Sequence, residues 1–241
     1  LGNLLVEVPR TIQVLQKLRT LDLGENEISE INSHDFSTLI NLYGLRIAGN
    51  RIKKISKAHF ANTSNLHVLN LAHNQLSEIQ QESFNKLQNL RALRLDNNHL
   101  RDINGLVSSL NNLQWFNASS NRLQWFDYAF IPKSLEWLDI HDNEIEELGN
   151  YYHMKSGFAL KSLDASSNLI RSLRKLSLPP SLERVILNRN AIRQIAENTF
   201  EDKPYLNRVE LVSNEINHMK PSTLSVGKLS ATQGNINLKF P

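Results

Sequence analysis

The stretch Leu66-His67-Val68-Leu69-Asn70-Leu71-Ala72-His73-Asn74-Gln75-Leu76 decides the fold. Leu69 and Leu71 are two residues apart, so their side chains leave the same face of a short strand. Val68 and Asn70 leave the other face. Asn74 stands where the chain quits that strand and turns inward. Its amide carries two donors and an acceptor and can satisfy backbone groups that the turn would otherwise bury unpaired. An apolar residue there would leave each such group bare, at a cost of about 1–3 kcal/mol.

The same pattern, Leu-x-x-Leu-x-Leu-x-x-Asn-x-Leu, recurs along the chain. Its first leucines are Leu18, Leu42, Leu66, Leu90, Leu113, Leu135, Leu160, Leu182 and Leu206. Successive steps are 24, 24, 24, 23, 22, 25, 22 and 24 residues. The asparagine column reads Asn26, Asn50, Asn74, Asn98, Asn121, Asn143, Asn168, Asn190 and Asn214 without exception. Two residues on come Ile28, Ile52, Leu76, Leu100, Leu123, Ile145, Ile170, Ile192 and Ile216. Self-similarity at this period is the signature of a leucine-rich repeat array. One turn cannot bury its own leucines, so the turns must stack. The expected fold is an α/β-type curved solenoid over residues 1–241, a single array of about nine full repeats. A parallel sheet lines its concave face, and irregular, 3-10 or short helical segments form its convex side. A partial repeat fills 1–17 and a degenerate one 224–241.

Phe36, Phe60, Phe84 and Phe200 each lie ten residues after a ladder asparagine and should form a partial spine under the convex side. Two short repeats carry Ile131-Pro132-Lys133 and Leu178-Pro179-Pro180 instead. Proline lacks the amide hydrogen, so extended chain is expected there. The 25-residue step holds Gly149–Gly157, read as a bulging loop. Asn3, Leu5 and Val8 fit the columns 23 residues before Asn26, so the chain opens inside a repeat and without Met, as a fragment or processed product would. Neither end has a cysteine-rich cap, so the end turns are expected to be exposed.

The composition narrows function by exclusion. Hydrophobic residues make 40% and charged residues 21% of 241, which excludes collagen-like, low-complexity and wholly disordered chains. Lys+Arg (27) barely exceeds Asp+Glu (24), which names no nucleic-acid partner. No run reaches the roughly 20 apolar residues of a membrane helix. With no cysteine there is no disulfide framework, thiol nucleophile or Cys-based zinc site. The eight histidines are scattered, and neither His-Glu-x-x-His nor Gly-x-Ser-x-Gly occurs. Asp139-Ile140-His141-Asp142 places carboxylate and imidazole on one face, but reads as ordinary ladder residues. Neither an enzyme nor a metal or other cofactor is expected.

Further residues are less generic. They include Ser120-Asn121-Arg122-Leu123-Gln124-Trp125-Phe126-Asp127-Tyr128-Ala129-Phe130-Ile131-Pro132, Leu135-Glu136-Trp137-Leu138-Asp139-Ile140-His141-Asp142-Asn143, and Lys203-Pro204-Tyr205-Leu206-Asn207-Arg208-Val209-Glu210-Leu211. Together these resemble the ectodomains of arthropod Toll receptors, in particular the long, 18-wheeler-like group. The likeness is specific from about Leu113 onward and generic before it. It implies an extracellular, ligand-binding or adhesive segment of a single-pass receptor at the plasma membrane, which signals by dimerising in innate immunity or development. Its partners would be a protein ligand or another leucine-rich repeat ectodomain, in a homo- or heterodimer, with no nucleic acid and no direct membrane contact by this segment. The alternative is a secreted, non-signalling immune scaffold or matrix adaptor.

The strand-lined face offers the candidate binding residues. Trp115 and Trp137 fall on adjacent strands, ~4.8 Å apart along the ladder. An exposed aromatic pair beside Arg94 and Asp139 has the composition of a binding hot spot. The competing reading is cross-strand packing that merely stabilises the sheet. Two N-glycosylation sequons occur, Asn62-Thr63-Ser64 on the loop side and Asn117-Ala118-Ser119 on the strand face. A glycan on Asn117 would partly cover that face.

Overall fold

The computed structural model describes residues 2–150, 157–217, 219, 223 and 235–237. They fall into two compact units, Leu1–Asn121 and Arg122–Pro241. Each is a stack of repeats on a parallel sheet.

In the first unit the sheet strands are β1 (Thr20–Asp22), β2 (Gly44–Arg46), β4 (Val68–Asn70), β6 (Ala92–Arg94) and β7 (Trp115–Asn117). The central residues form one register row, Leu21, Leu45, Leu69, Leu93 and Phe116. On the far side of the turn β3 (Lys54–Ile55) pairs with β5 (Glu78–Ile79). The second unit repeats the plan with β8 (Trp137–Asp139), β9 (Ser162–Asp164), β11 (Arg184–Ile186), β13 (Arg208–Glu210) and β14 (Asn235–Asn237). Its central row is Leu138, Leu163, Val185, Val209 and Ile236. Here β10 (Ser172–Leu173) pairs with β12 (Gln194–Ile195). Parallel pairing at one-repeat offsets is what a coiled chain must give, because each strand returns in the direction of the last.

The core is the column set read from the sequence. Leu42, Leu66, Leu90 and Leu113 are buried in the first unit, and Leu135, Leu160, Leu182 and Leu206 in the second. Under the turns, the Phe36 and Phe60 rings stack at 6.3 Å between centroids, and Phe84 follows at 6.1 Å from Phe60. In the second unit Tyr128 is fully buried against Phe126 and Phe158, and its hydroxyl donates to the Ser177 carbonyl at 2.9 Å.

The asparagines lock each turn to the one before it. Asn74 Oδ1 accepts from the Ile52 amide at 3.0 Å. Its Nδ2 donates to the carbonyls of Ile47, Leu71 and Ala72 at 2.9–3.2 Å. The Oδ1 bond recurs at every ladder position, from Asn26 with Leu5 to Asn214 with Ile192. The preceding residue is left-handed in each repeat: Glu25, Gly49, His73, Asn97, Ser120, Asp142, Ser167, Arg189 and Ser213 all have φ between 49° and 67°. Only one of the nine is glycine, so the ladder bonds hold the others against a cost of about 1–2 kcal/mol per residue. A second row of amides was not anticipated. Asn41, Asn65, Asn89 and Asn112, each just before a first leucine, donate to a carbonyl of the previous repeat at 2.8–3.0 Å.

Among the described residues, 3-10 segments include Arg10–Val14, Tyr128–Phe130 and Lys175–Ser177, and there is no α-helix. Segments this short cannot offset the cost of helix nucleation. At the prolines, Ile131 and Leu178, the residues before them, are extended, and each follows one 3-10 turn. The residue before proline is the one that sterics exclude from helix. Most of the Gly149–Gly157 loop and of the degenerate repeat at 224–241 lies outside the described residues.

Candidate functional site

The strand face of each unit is built from the first and third residues of its strands. In the first unit, Arg46 lies 3.1 Å from Asp22 Oδ1 and 2.7 Å from Glu25 Oε1. The hydrogen bonds from Gly24 and Arg46 hold the Asp22 carboxyl below the usual range, although burial acts to raise it. Arg94 folds back on Asp96 through two hydrogen bonds, Nε–Oδ1 at 2.8 Å and Nη2–Oδ2 at 2.7 Å. The Asp96 side chain is only 3% exposed. Burial acts to raise its pKa, but the Arg94 hydrogen bonds and charge outweigh this and keep it depressed. In the second unit, Glu210 takes Arg208 at 2.7 Å and Asn188 Nδ2 at 2.9 Å.

These contacts redefine the candidate residues. Trp115 and Trp137 are half-buried in β7 and β8, facing Ala92 and Ser162 across the ladder. They are not the exposed rings that a hot spot was expected to offer. Arg94 is committed to Asp96. Asp139, expected on the surface, is 8% exposed, and its Oδ1 accepts from the His141 amide at 3.0 Å and lies 2.7 Å from His141 Nδ1. The hydrogen bond to Asp139 raises the pKa of His141 against the opposing effect of burial, helped by the charges of Asp139, Asp164 and Asp142.

The third strand position has a structural duty that the column reading missed. Asp22, Asn70, Asn117, Asp139 and Asp164 each accept, through Oδ1, the amide two residues on, at 2.8–3.0 Å. This Asx turn steers the chain from the strand into the ladder turn. Its signal in the sequence was an Asp or Asn closing the strand in five of nine repeats. Asn117 is 9% exposed and engaged in this way. Asn62 lies exposed on a turn, with Thr63 Oγ1 tied inward to the Phe60 carbonyl, so its sequon is accessible.

Beside the first sheet a feature outside the columns appears. The Tyr43 ring stacks on His67 at 4.2 Å, and the Arg19 guanidinium lies 5.7 Å from the Tyr43 centroid.

Known proteins share this architecture. Family descriptions of the leucine rich repeat match residues 17–39, 40–100 and 64–123, and that of the BspA type leucine rich repeat region matches 126–239. The chain belongs to the leucine-rich repeat family. Within the family it is 51% identical over 225 residues, 93% of its length, to Toll-like receptor 7 of Drosophila melanogaster. The match to that receptor thus extends over nearly the whole chain. The chain spans 16% of that receptor's length. Among solved structures it is similar to the chain in a complex of TLR13 with the RNA ssRNA13. That match has a TM-score of 0.77 at 26% identity, covering 87% of this chain and 31% of the other. The Toll–Spatzle complex of Drosophila shares the fold, with a TM-score of 0.71 at 24% identity over 91% of this chain and 33% of that one. No helix among the described residues is long and apolar enough to cross a membrane.

Proposed function

We propose that this repeat array is part of the ligand-binding or adhesive ectodomain of a Toll-type cell-surface receptor, and that it acts by protein recognition without chemistry. The observation that carries the reading is the 51% identity to a Toll-like receptor across 93% of the chain. In this reading residues 1–241 are consecutive turns of one array, since the 22-residue step from Leu113 to Leu135 passes the boundary between the units unbroken. The partner is a protein ligand or a second repeat ectodomain, and engagement brings two receptors together. Asn62 carries the glycan of a secreted surface, on the outer side of the plasma membrane. Immune or developmental signalling would rest with parts of the receptor beyond this segment.

Two relatives in fold differ in what they are bound to, single-stranded RNA in one and Spatzle in the other. The charge pattern here favours a protein. A phosphate-tracking groove needs cations that remain available to the backbone. On these strand faces Arg46, Arg94 and Arg208 are each matched by a carboxylate within 3.1 Å. A mixed, paired surface gives specificity and orientation to a protein partner.

Surface plasmon resonance of the glycosylated ectodomain against candidate surface proteins tests the reading. Trp115→Ala/Trp137→Ala should weaken a confirmed partner by roughly tenfold or more if the strand face is the contact. Unchanged affinity would remove the strand face from the proposal, and binding to RNA that survives physiological salt would remove the protein reading.

A further inference from the structure

The sheet register brings together three groups that the sequence keeps apart. Asp139 closes β8, Asp164 closes β9, and the two are direct partners in the parallel ladder. His141 follows two residues after Asp139. A carboxylate oxygen from each aspartate and a ring nitrogen of His141 all lie within 4.8 Å of one another. Like charges placed opposite each other across a ladder are destabilising. Asp139 is also nine-tenths buried, with the His141 ring nitrogen 2.7 Å from its Oδ1.

The hydrogen bonds around these carboxylates are one-sided. Asp139 Oδ1 takes both contacts from His141, the amide at 3.0 Å and Nδ1 at 2.7 Å. Asp164 Oδ1 takes both contacts from Ser166, the amide at 3.0 Å and Oγ at 2.6 Å. Among the described residues nothing donates to the second oxygen of either carboxylate. Each carboxylate is thus oriented through one oxygen while the other is left unfilled. The His141 amide on Asp139, and the amide and hydroxyl of Ser166 on Asp164, are outer bonds of the kind that fix a ligand's direction in metal sites while sparing its donor atom.

We propose that Asp139, His141 and Asp164 form a binding site for one divalent cation of the zinc type on the strand face of the second unit. Two carboxylates and a neutral imidazole carry a charge of −2, which a dication cancels. One nitrogen and two oxygens suit zinc, which takes three protein ligands and keeps a further position for water. Binding displaces any proton held on the ligating nitrogen of His141, so affinity falls as the solution is acidified. The consequence for recognition is local. The ion would tie β8 to β9 and turn an acidic spot beside Trp137 into a neutral one.

Titrating zinc chloride into the 241-residue chain, in chelator-treated buffer, tests this by calorimetry and by thermal melting. The expected result is one saturable site per chain and a raised Tm. Asp164→Asn and His141→Gln should each weaken binding by at least about tenfold. A control, His34→Gln, should leave it unchanged. Without zinc, Asp164→Asn should melt no lower than the parent, because it removes one of two facing charges, and yet it should lose the zinc-induced rise. Absence of a saturable site in the parent overturns the proposal. So does parental affinity in both variants, which would place the ion on other histidines. If Asp164→Asn fails to fold, His141→Gln decides alone. None of these outcomes depends on the receptor reading.

Discussion

Replacing Asn74 by Ala would strand the buried Ile52 amide and take one of two hydrogen bonds from each of the carbonyls of Ile47, Leu71 and Ala72, which keep Asn50 Nδ2, Asn98 Nδ2 and the Gly49 amide. At about 1–3 kcal/mol for the unsatisfied amide and roughly 0.5–1.5 kcal/mol for each of the other hydrogen bonds lost, with some relief by relaxation, the expected loss is about 3–5 kcal/mol in urea unfolding. Asn74→Asp should be similarly severe despite equal volume. It turns an oxygen toward three carbonyls, so a loss below about 1 kcal/mol would contradict this account of the ladder. The residue scale also shows how far a column can mislead. Asp139 and Asn117 occupy outward-facing strand positions by parity, yet both are nine-tenths buried, because their side chains curl back to cap the next turn. Parity fixes the direction of Cβ, whereas where a short polar side chain ends up depends on the amides within its reach.

At the scale of elements, the back of the second unit holds an unusual cation. Lys203 is 5% exposed, and its Nζ donates to the carbonyls of Lys175 and Glu201 at 2.9 and 3.3 Å. Burial, with the charge of Lys175, depresses its pKa to about 8, against the pull of Asp202 and Glu201. The folded chain therefore releases this proton more readily than the unfolded chain. Below about pH 8 Lys203 is charged in both states and the burial penalty is present in full. As pH rises from there toward the ordinary lysine value, the unfolded state binds more protons, so stability increases. Melting curves of the wild-type chain should show Tm rising between about pH 8 and 10, a rise that Lys203→Met abolishes. A flat or falling wild-type profile in that window would refute the assignment. Lys54, Lys161 and Lys175 have raised pKa values through their carboxylate partners, so they lose stabilisation only at higher pH and do not mimic the effect.

At the scale of the molecule, stability in a repeat array is a sum of turn and neighbour terms. Damage should stay close to its origin. In native-state hydrogen exchange, Asn74→Ala should strip protection first from the amides of Ile52, Gln75 and Leu71 and their neighbouring turns. Protection around Ile170 in the second unit should fall much less. Uniform loss over all repeats would mean that the array unfolds as one block. The net charge of +3 is small for 241 residues, so it gives little long-range attraction to polyanions.

The repeat period, the leucine columns and the asparagine column were legible in the sequence because they answer local demands. Residues two apart share a strand face, and a buried turn needs an amide at a fixed place, wherever the repeat sits. The phenylalanine spine was legible for the same reason, at Phe36, Phe60 and Phe84. The Asx turns and the second amide row, at Asn41, Asn65, Asn89 and Asn112, were present as columns but carried no hydrophobic signal. Only the tertiary structure decided which polar groups meet. Asp139 and Asp164 are 25 residues apart in the chain and become neighbours because β8 and β9 pair in one register and not another. Periodicity sets which face a side chain leaves from, while register and reach set what it touches there, and binding chemistry depends on the second.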